Sequence, residues 1–147
     1  MWRETIETFC SRCKFYDPAT NEQIAALETA LGVQLPDDLM SLLLETNGVL
    51  GEYDEAYDSG LGVVYSTEGI AEINLMMRQH EGLRKVFMPF DHLLFIGDDG
   101  AGDQYGFPIS ATNAVQSEIF LWDHESDDRS PIAYSLEEYL RYNLRQS

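Results

Sequence analysis

The stretch IGDDGAGDQYGF, residues 96–107, sets three aspartates among four glycines between apolar ends. Residues of these types serve four chemistries. A calcium loop of the EF-hand type needs oxygen ligands at alternating positions and a distant bidentate glutamate. Asp98, Asp99 and Asp103 lack that spacing, so no metal is expected here. A phosphate cradle needs free backbone N–H groups, commonly with a lysine, and no competing negative charge. Three aspartates and no lysine argue against it. An acid–base pair needs one carboxyl raised in pKa by burial, whereas adjacent acids in a glycine-rich segment are solvated. The remaining reading is a tight turn. Glycine permits positive φ, and aspartate side chains bond nearby backbone N–H groups.

Other reactive residues are sparse. Cys10-x-x-Cys13 is half of a zinc site, which needs four ligands, and it does not follow a strand of a βαβ unit as a thioredoxin-type pair would. The expectation is two thiols on one helix face, packed inward. There is no Gly-x-Ser-x-Gly elbow. Of the three histidines, His124 stands out, because Asp123 and Glu125 favour its protonated form. No catalytic residue, cofactor or metal is assigned.

Charge is more informative. Among 147 residues, 26 acids oppose nine bases, for a net charge of −17. Between Lys14 and Arg78 there is no Lys or Arg but twelve Asp and Glu. Such a field repels nucleic acid and anionic membrane and speeds encounter with basic proteins. Acidity also serves solubility alone. No signal peptide or membrane span is visible, so a cytoplasmic protein is expected, with one domain over residues 1–147.

These groups must be held by secondary structure. Residues 2–14 place Ile6, Phe9, Cys10 and Cys13 at helical spacing. Thr20 and Gln23 form a capping-box pattern before Ile24, Leu27 and Leu31, and Gly32 suits a left-handed stop. Pro36 suits the first helical position, with Asp37 and Asp38 in the first turn and Leu39, Leu42 and Leu43 on one face. Asn47-Gly48 ends it. Residues 48–60 show no period and read as a loop. LGVVYS reads as a strand. Ser66 caps a helix carrying Ile70, Ile73, Asn74, Met77 and His80, and a turn is expected around Gly82. Strands are expected at Leu93–Ile96, in DQYGFPI, at Glu118–Trp122 and in PIAYS. Ser135 and Glu138 form a second capping box before Leu136, Tyr139, Leu140 and Leu144. Short turns between the later strands imply antiparallel pairing. The class is α+β, with a twisted, mainly antiparallel central sheet and helices packed against it.

Eleven of the 26 acids fall in three segments, 51–60, 98–103 and 123–129, beside Tyr53, Tyr57, Tyr105 and Trp122. Aromatics supply buried anchor area and carboxylates supply pairing to Arg or Lys, as in a protein-binding surface. A solvated rim with tyrosines half in the core fits equally.

The segment LETALGVQLPDDLMSLLLETNG resembles the opening signature of the SUKH superfamily at Glu28, Leu31, Gly32, Leu35, Pro36, Asn47 and Gly48. FMPFDHLLFIGDDGAGDQYGF, IFLWDHESDD and IAYSLEEYL resemble its later segments in the right order, over roughly residues 20–142. One departure is Phe107-Pro108, where the strand should end or lie at an edge. The resemblance implies an α+β fold and, for many bacterial members, an immunity protein that neutralises a toxin, often a basic nuclease. The expected partner is then a basic protein. The expected contacts are Glu52, Tyr53, Asp54, Glu55, Tyr57 and Asp58, with Asp98, Asp99 and Asp103 as a second patch facing outward. An intracellular protein-binding scaffold and a metal-dependent hydrolase are the alternatives.

Overall fold

Apolar periodicity and capping chemistry set most of the elements in the computed structural model, which describes residues 1–145. The N-terminal helix α1 (Trp2–Glu7) seats Trp2 and Ile6 in the core. A two-residue strand β1 (Lys14–Phe15) follows. Helix α2 (Asn21–Leu31) opens with the expected box: the Thr20 side chain accepts from the Gln23 N–H, and the Gln23 side chain accepts from the Thr20 N–H. It ends at Gly32 with φ +66°. Helix α3 (Asp37–Glu45) begins one residue later than expected, since Pro36 is its N-cap with extended ψ. Its Leu39, Leu42 and Leu43 are fully buried.

The chain then forms β2 (Val49–Asp54) and β3 (Ser59–Val64), followed by α4 (Thr67–Gln79), capped by Ser66, and α5 (Glu81–Val86). Four strands come next, β4 (Leu93–Asp98), β5 (Gln104–Pro108), β6 (Ile119–Trp122) and β7 (Arg129–Ala133). Helix α6 (Leu136–Arg145) closes the described chain. The class is α+β, and every pairing between these strands is antiparallel.

Four expectations need correction. Strands are divided between a three-stranded sheet, β1-β2-β3, and a four-stranded one, β4-β5-β6-β7, rather than one central sheet. The two meet where the Tyr65 N–H donates to Ile96 O at 2.8 Å. Residues 48–60, read as a loop, are mostly a hairpin. Its glycines and acids are poor strand formers, and a bulge breaks its alternation. The first helix stops at Glu7, and Cys10 and Cys13 form a disulfide rather than two helical thiols; both are half-buried against the main core. The region around Gly82 is helix α5, started by His80, whose Nδ1 accepts from the Leu83 N–H. At Phe107-Pro108 the strand does end, although β5 is an inner strand.

Helix α6 pins the sheet junction. Tyr139, fully buried, donates its hydroxyl to Val63 O of β3 at 2.6 Å. Asn143 donates to the Tyr139 hydroxyl at 3.1 Å and to Asp98 O at the end of β4 at 3.2 Å. One helix thus holds both sheets. The junction is tight enough to require glycine, because a Cβ on Gly97 would lie 2.1 Å from Val63 O and 2.5 Å from the Tyr139 hydroxyl. From the other side, buried Asn74 of α4 accepts from the Phe95 N–H at 2.8 Å and donates to Phe95 O at 2.9 Å. Arg78 donates to Leu93 O at 3.1 Å. A second core of Met77, Phe90, Leu93, Phe95 and Trp122 packs beside α4, with Phe90 and Phe87 edge-on to Trp122.

Candidate functional site

The hairpin owes its shape to a bulge. Gly51 pairs with Leu61 and Asp54 with Ser59, so Glu52 and Tyr53 together oppose the single residue Gly60. Bulges re-aim side chains and recur beside sites. Glu52 takes φ +47° there, as does Asp58 at the far end of the turn, in a region that glutamate occupies at a cost of about 1–2 kcal/mol. Between them the Asp54 carboxylate accepts from the Ala56 N–H at 2.9 Å. Tyr57 is 80% exposed, and Glu52, Asp54, Glu55 and Asp58 are exposed too.

Tyr53 and Asp58 are not free. The Tyr53 hydroxyl donates to Asp58, and Lys14 of β1 donates to the same carboxylate oxygen at 3.0 Å. The Lys14 ammonium also lies 4.8 Å from the Tyr53 ring centroid. Hydrogen bonds to Asp58 and then Tyr53 push the lysine pKa up, while the Tyr53 and Lys14 hydrogen bonds hold Asp58 down. β1 is positioned for this because Lys14 pairs with Leu50. The adjoining disulfide loop adds Arg12 O, which accepts from the Tyr53 N–H at 2.7 Å. Sequence reasoning missed Lys14, whose only signal was being the last cation before a long acidic run.

The 98–103 turn spends its acids locally. Asp98 accepts from the Gly100 N–H and, at its other oxygen, from the Tyr65 hydroxyl. Asp99 accepts from the Ala101 and Asp103 N–H groups. Asp103 accepts from the His124 N–H at 3.1 Å and sits 2.5 Å from His124 Nδ1. The hydrogen bond to Asp103 raises the His124 pKa. Burial pushes Asp103 up, but the bonds from His124 outweigh it and leave its carboxyl lowered. All three aspartates are half-buried, not fully outward-facing.

The third acidic segment divides. His124 joins the turn, whereas Asp127 faces the second core, accepting from the Trp122 indole, the Met88 N–H and Arg129. Asp103, Asp123 and His124 offer ligand atoms within 4.8 Å of one another, the cluster among the described residues that could hold a metal ion. An ion there would compete with the His124–Asp103 hydrogen bond.

The hairpin and the turn come together. A groove of about 450 Å³ runs between them, lined by Glu52, Gly60 and Leu61 from the hairpin, Asp99 and Gly100 from the turn, and Asn143 from α6. Asn143 was not anticipated. Its only sequence signal is an amide four residues after Tyr139, on the buried face of an otherwise apolar stripe. A larger depression of about 900 Å³ lies elsewhere, between the α2–α3 connection and residues 112–117. There Glu28 accepts from the Leu35 N–H at 2.7 Å, which gives that acid a structural task. Among the described residues no helix is long and apolar enough to cross a membrane.

A family model described as the SMI1 / KNR4 family (SUKH-1) matches residues 18–142. Among curated proteins, the chain is similar to the "Uncharacterized protein YnaB" of Bacillus subtilis (strain 168). The two are 32% identical over 95 residues, which is 65% of this chain and 61% of the relative. The match therefore spans less than two-thirds of that relative's length.

Proposed function

The chain belongs to the SMI1/KNR4 family (SUKH-1), and from that premise we propose that it is an immunity protein, a non-enzymatic binder that neutralises a cognate bacterial toxin domain. The toxin is basic and nuclease-like, and the two meet in the cytoplasm. Contact is made by Glu52, Tyr53, Asp54, Glu55, Tyr57 and Asp58, flanked by Asp98, Asp99 and Asp103. The observation that carries this reading is that the acid-rich hairpin and the acid-rich turn border one groove, with Tyr57 standing clear of the fold as an aromatic anchor. Aromatic anchors ringed by charge are the anatomy of a steered protein interface. A specific complex would cover about 1,600 Å² in total. The Cys10–Cys13 bond sets a condition on the compartment: recovering it oxidised from cells would move the encounter out of the reducing cytoplasm.

The test uses the C-terminal domain encoded by the gene next to this one. It should bind the intact chain, with an association rate that falls steeply with salt. Asp54→Lys with Glu55→Lys should slow association roughly tenfold or more at low salt and flatten the salt dependence. An unchanged rate and slope in the double variant would remove the hairpin from the interface.

A further inference from the structure

The hairpin is braced from the N-terminal side by a short segment, and a covalent bond closes that segment on itself. Upstream of it, helix α1 is fixed: Trp2 and Ile6 are buried, and the Glu45 carboxylate accepts from the Met1 ammonium and the Trp2 N–H. Downstream, the Tyr16 N–H donates to the Thr46 hydroxyl at 2.8 Å. Residues 8–13, between α1 and β1, contain no helix or strand. β1 itself has two residues, paired with Leu50 and Val49, and so short a strand holds little by its own pairing.

Three contacts from this segment reach the hairpin tip. The Arg12 carbonyl accepts from the Tyr53 N–H at 2.7 Å, at the bulge. The Lys14 ammonium donates to Asp58 at 3.0 Å and to the Tyr53 hydroxyl at 3.3 Å. Arg12 lies inside the ring that the Cys10–Cys13 disulfide closes, and Lys14 is the next residue after that ring. The bond therefore confines the backbone that presents both groups. Opening it restores freedom to Ser11 and Arg12, and the same contacts must then form against a larger loss of conformational entropy.

The two sulfurs are within reach of solvent-borne thiols. Cys10 and Cys13 are half-buried, and Ser11 and Arg12 between them are exposed. Accessible cysteines with a resolving partner close by are the form that redox-sensing pairs take. In a reducing cytoplasm such a pair stands open, and oxidants close it.

We propose that Cys10 and Cys13 form a redox latch that sets how firmly the 52–58 hairpin tip is ordered. The oxidant is a small-molecule disulfide of the glutathione type. One cysteine thiolate attacks it, forming a mixed disulfide and releasing one glutathione thiolate. The other cysteine thiolate then attacks the protein sulfur of the mixed disulfide, forming the Cys10–Cys13 bond and releasing the second glutathione. Two protein thiols are oxidised, one glutathione disulfide is reduced, and the two thiol protons end on the two glutathiones. Excess thiol runs the exchange backwards. The latch deepens the immunity reading and rests on it only for what the hairpin tip is used for.

The experiment is amide hydrogen exchange by NMR on the whole chain, oxidised with glutathione disulfide or reduced with dithiothreitol, with the state of the bond read by mass after thiol alkylation. Reduction should speed exchange of the Tyr53 amide roughly tenfold or more. The Phe95 amide, bonded to Asn74 in the other sheet, should exchange at the same rate in both forms. Cys10→Ser with Cys13→Ser should exchange like the reduced native chain and ignore the reductant. Failure of glutathione disulfide to close the bond, equal Tyr53 exchange in the two forms, or equal acceleration at Tyr53 and Phe95 would each overturn the latch. The two readings also fail separately. Partner-domain binding by a chain whose Tyr53 amide is indifferent to reduction refutes the latch and leaves the immunity reading intact. A redox-dependent Tyr53 amide without any partner-domain binding upholds the latch and refutes that reading.

Discussion

The 98–103 turn and the 52–58 hairpin tip carry acids at similar density, three in six residues against four in seven, yet their carboxylates have different occupations. Each aspartate of the turn accepts at least one hydrogen bond from the fold, and together they hold four backbone N–H groups, those of Gly100, Ala101, Asp103 and His124. In the hairpin, Asp54 holds one N–H and Asp58 is engaged by Lys14 and Tyr53, while Glu52 and Glu55 accept no hydrogen bond from any described residue. The difference lies in the supply of donors. A glycine-rich turn exposes backbone N–H groups that no ladder consumes, and short aspartate side chains reach them. A hairpin spends its N–H groups on strand pairing, and the longer glutamates project into solvent. Acidic composition is therefore scaffold throughout the turn, whereas in the hairpin Asp54 and Asp58 are engaged by the fold and Glu52 and Glu55 remain as surface charge.

The sharpest way to break this contrast is at the junction beneath the turn. Gly97→Ala would drive a methyl group to within 2.1 Å of Val63 O. Unfolding in urea should show a loss of roughly 3 kcal/mol or more. A midpoint unchanged from the native chain would mean that the turn does not stand on a rigid seam. A smaller effect distinguishes the two acidic segments directly. Asp99→Ala strips two N–H groups of their acceptor and should cost about 1–2 kcal/mol, whereas Glu55→Ala should stay within about 0.5 kcal/mol. Equal losses would erase the distinction.

The smallest effect is the pH dependence of the Asp103–His124 contact. Folding raises the His124 pKa through its hydrogen bond to Asp103. Its contribution to stability is thus complete below the unfolded value of about 6.5 and is lost as pH rises through the higher folded value. Thermal melts of His124→Gln should fall furthest below the native chain near pH 6, and the gap should close as pH rises into the alkaline range. A gap that widens with rising pH would assign the opposite sign.

Much of this fold can be read from the chain. The Thr20–Gln23 box, the Gly32 stop, the Ser66 cap and the leucine face of α3 are local signals, and each appears where its residues predict. Ser135 also caps α6 by accepting from the Glu138 N–H, although the Glu138 side chain reaches back to the Tyr134 N–H rather than closing the box on Ser135. What escaped was set by long-range contact. The hairpin at 48–60 breaks up Val49, Tyr53 and Tyr57 with glycines and acids that are poor strand formers, and it is held between β1 and α6; a Cβ on Gly51 would strike Leu144 Cδ2 at 2.7 Å. The disulfide escaped because Cys10 and Cys13 fit helical spacing equally well. At the site, the acids were visible as composition, but nothing in the chain's order announced that Glu52, Asp99 and Asn143, drawn from three distant segments, would line one groove.

Asn74 and Arg78 have a consequence for how anything can attach to this molecule. The outer rim of β4 is a row of main-chain donors and acceptors, the kind of template onto which a foreign strand can zip. Asn74 occupies both groups of Phe95, Arg78 takes Leu93 O, and Tyr65 takes Ile96 O. At the opposite rim, β7 carries Pro131, which has no N–H to offer. With β4 closed to zippering and β7 short of a donor at Pro131, both borders of the four-stranded sheet are poor templates for a foreign strand or a second copy of the chain.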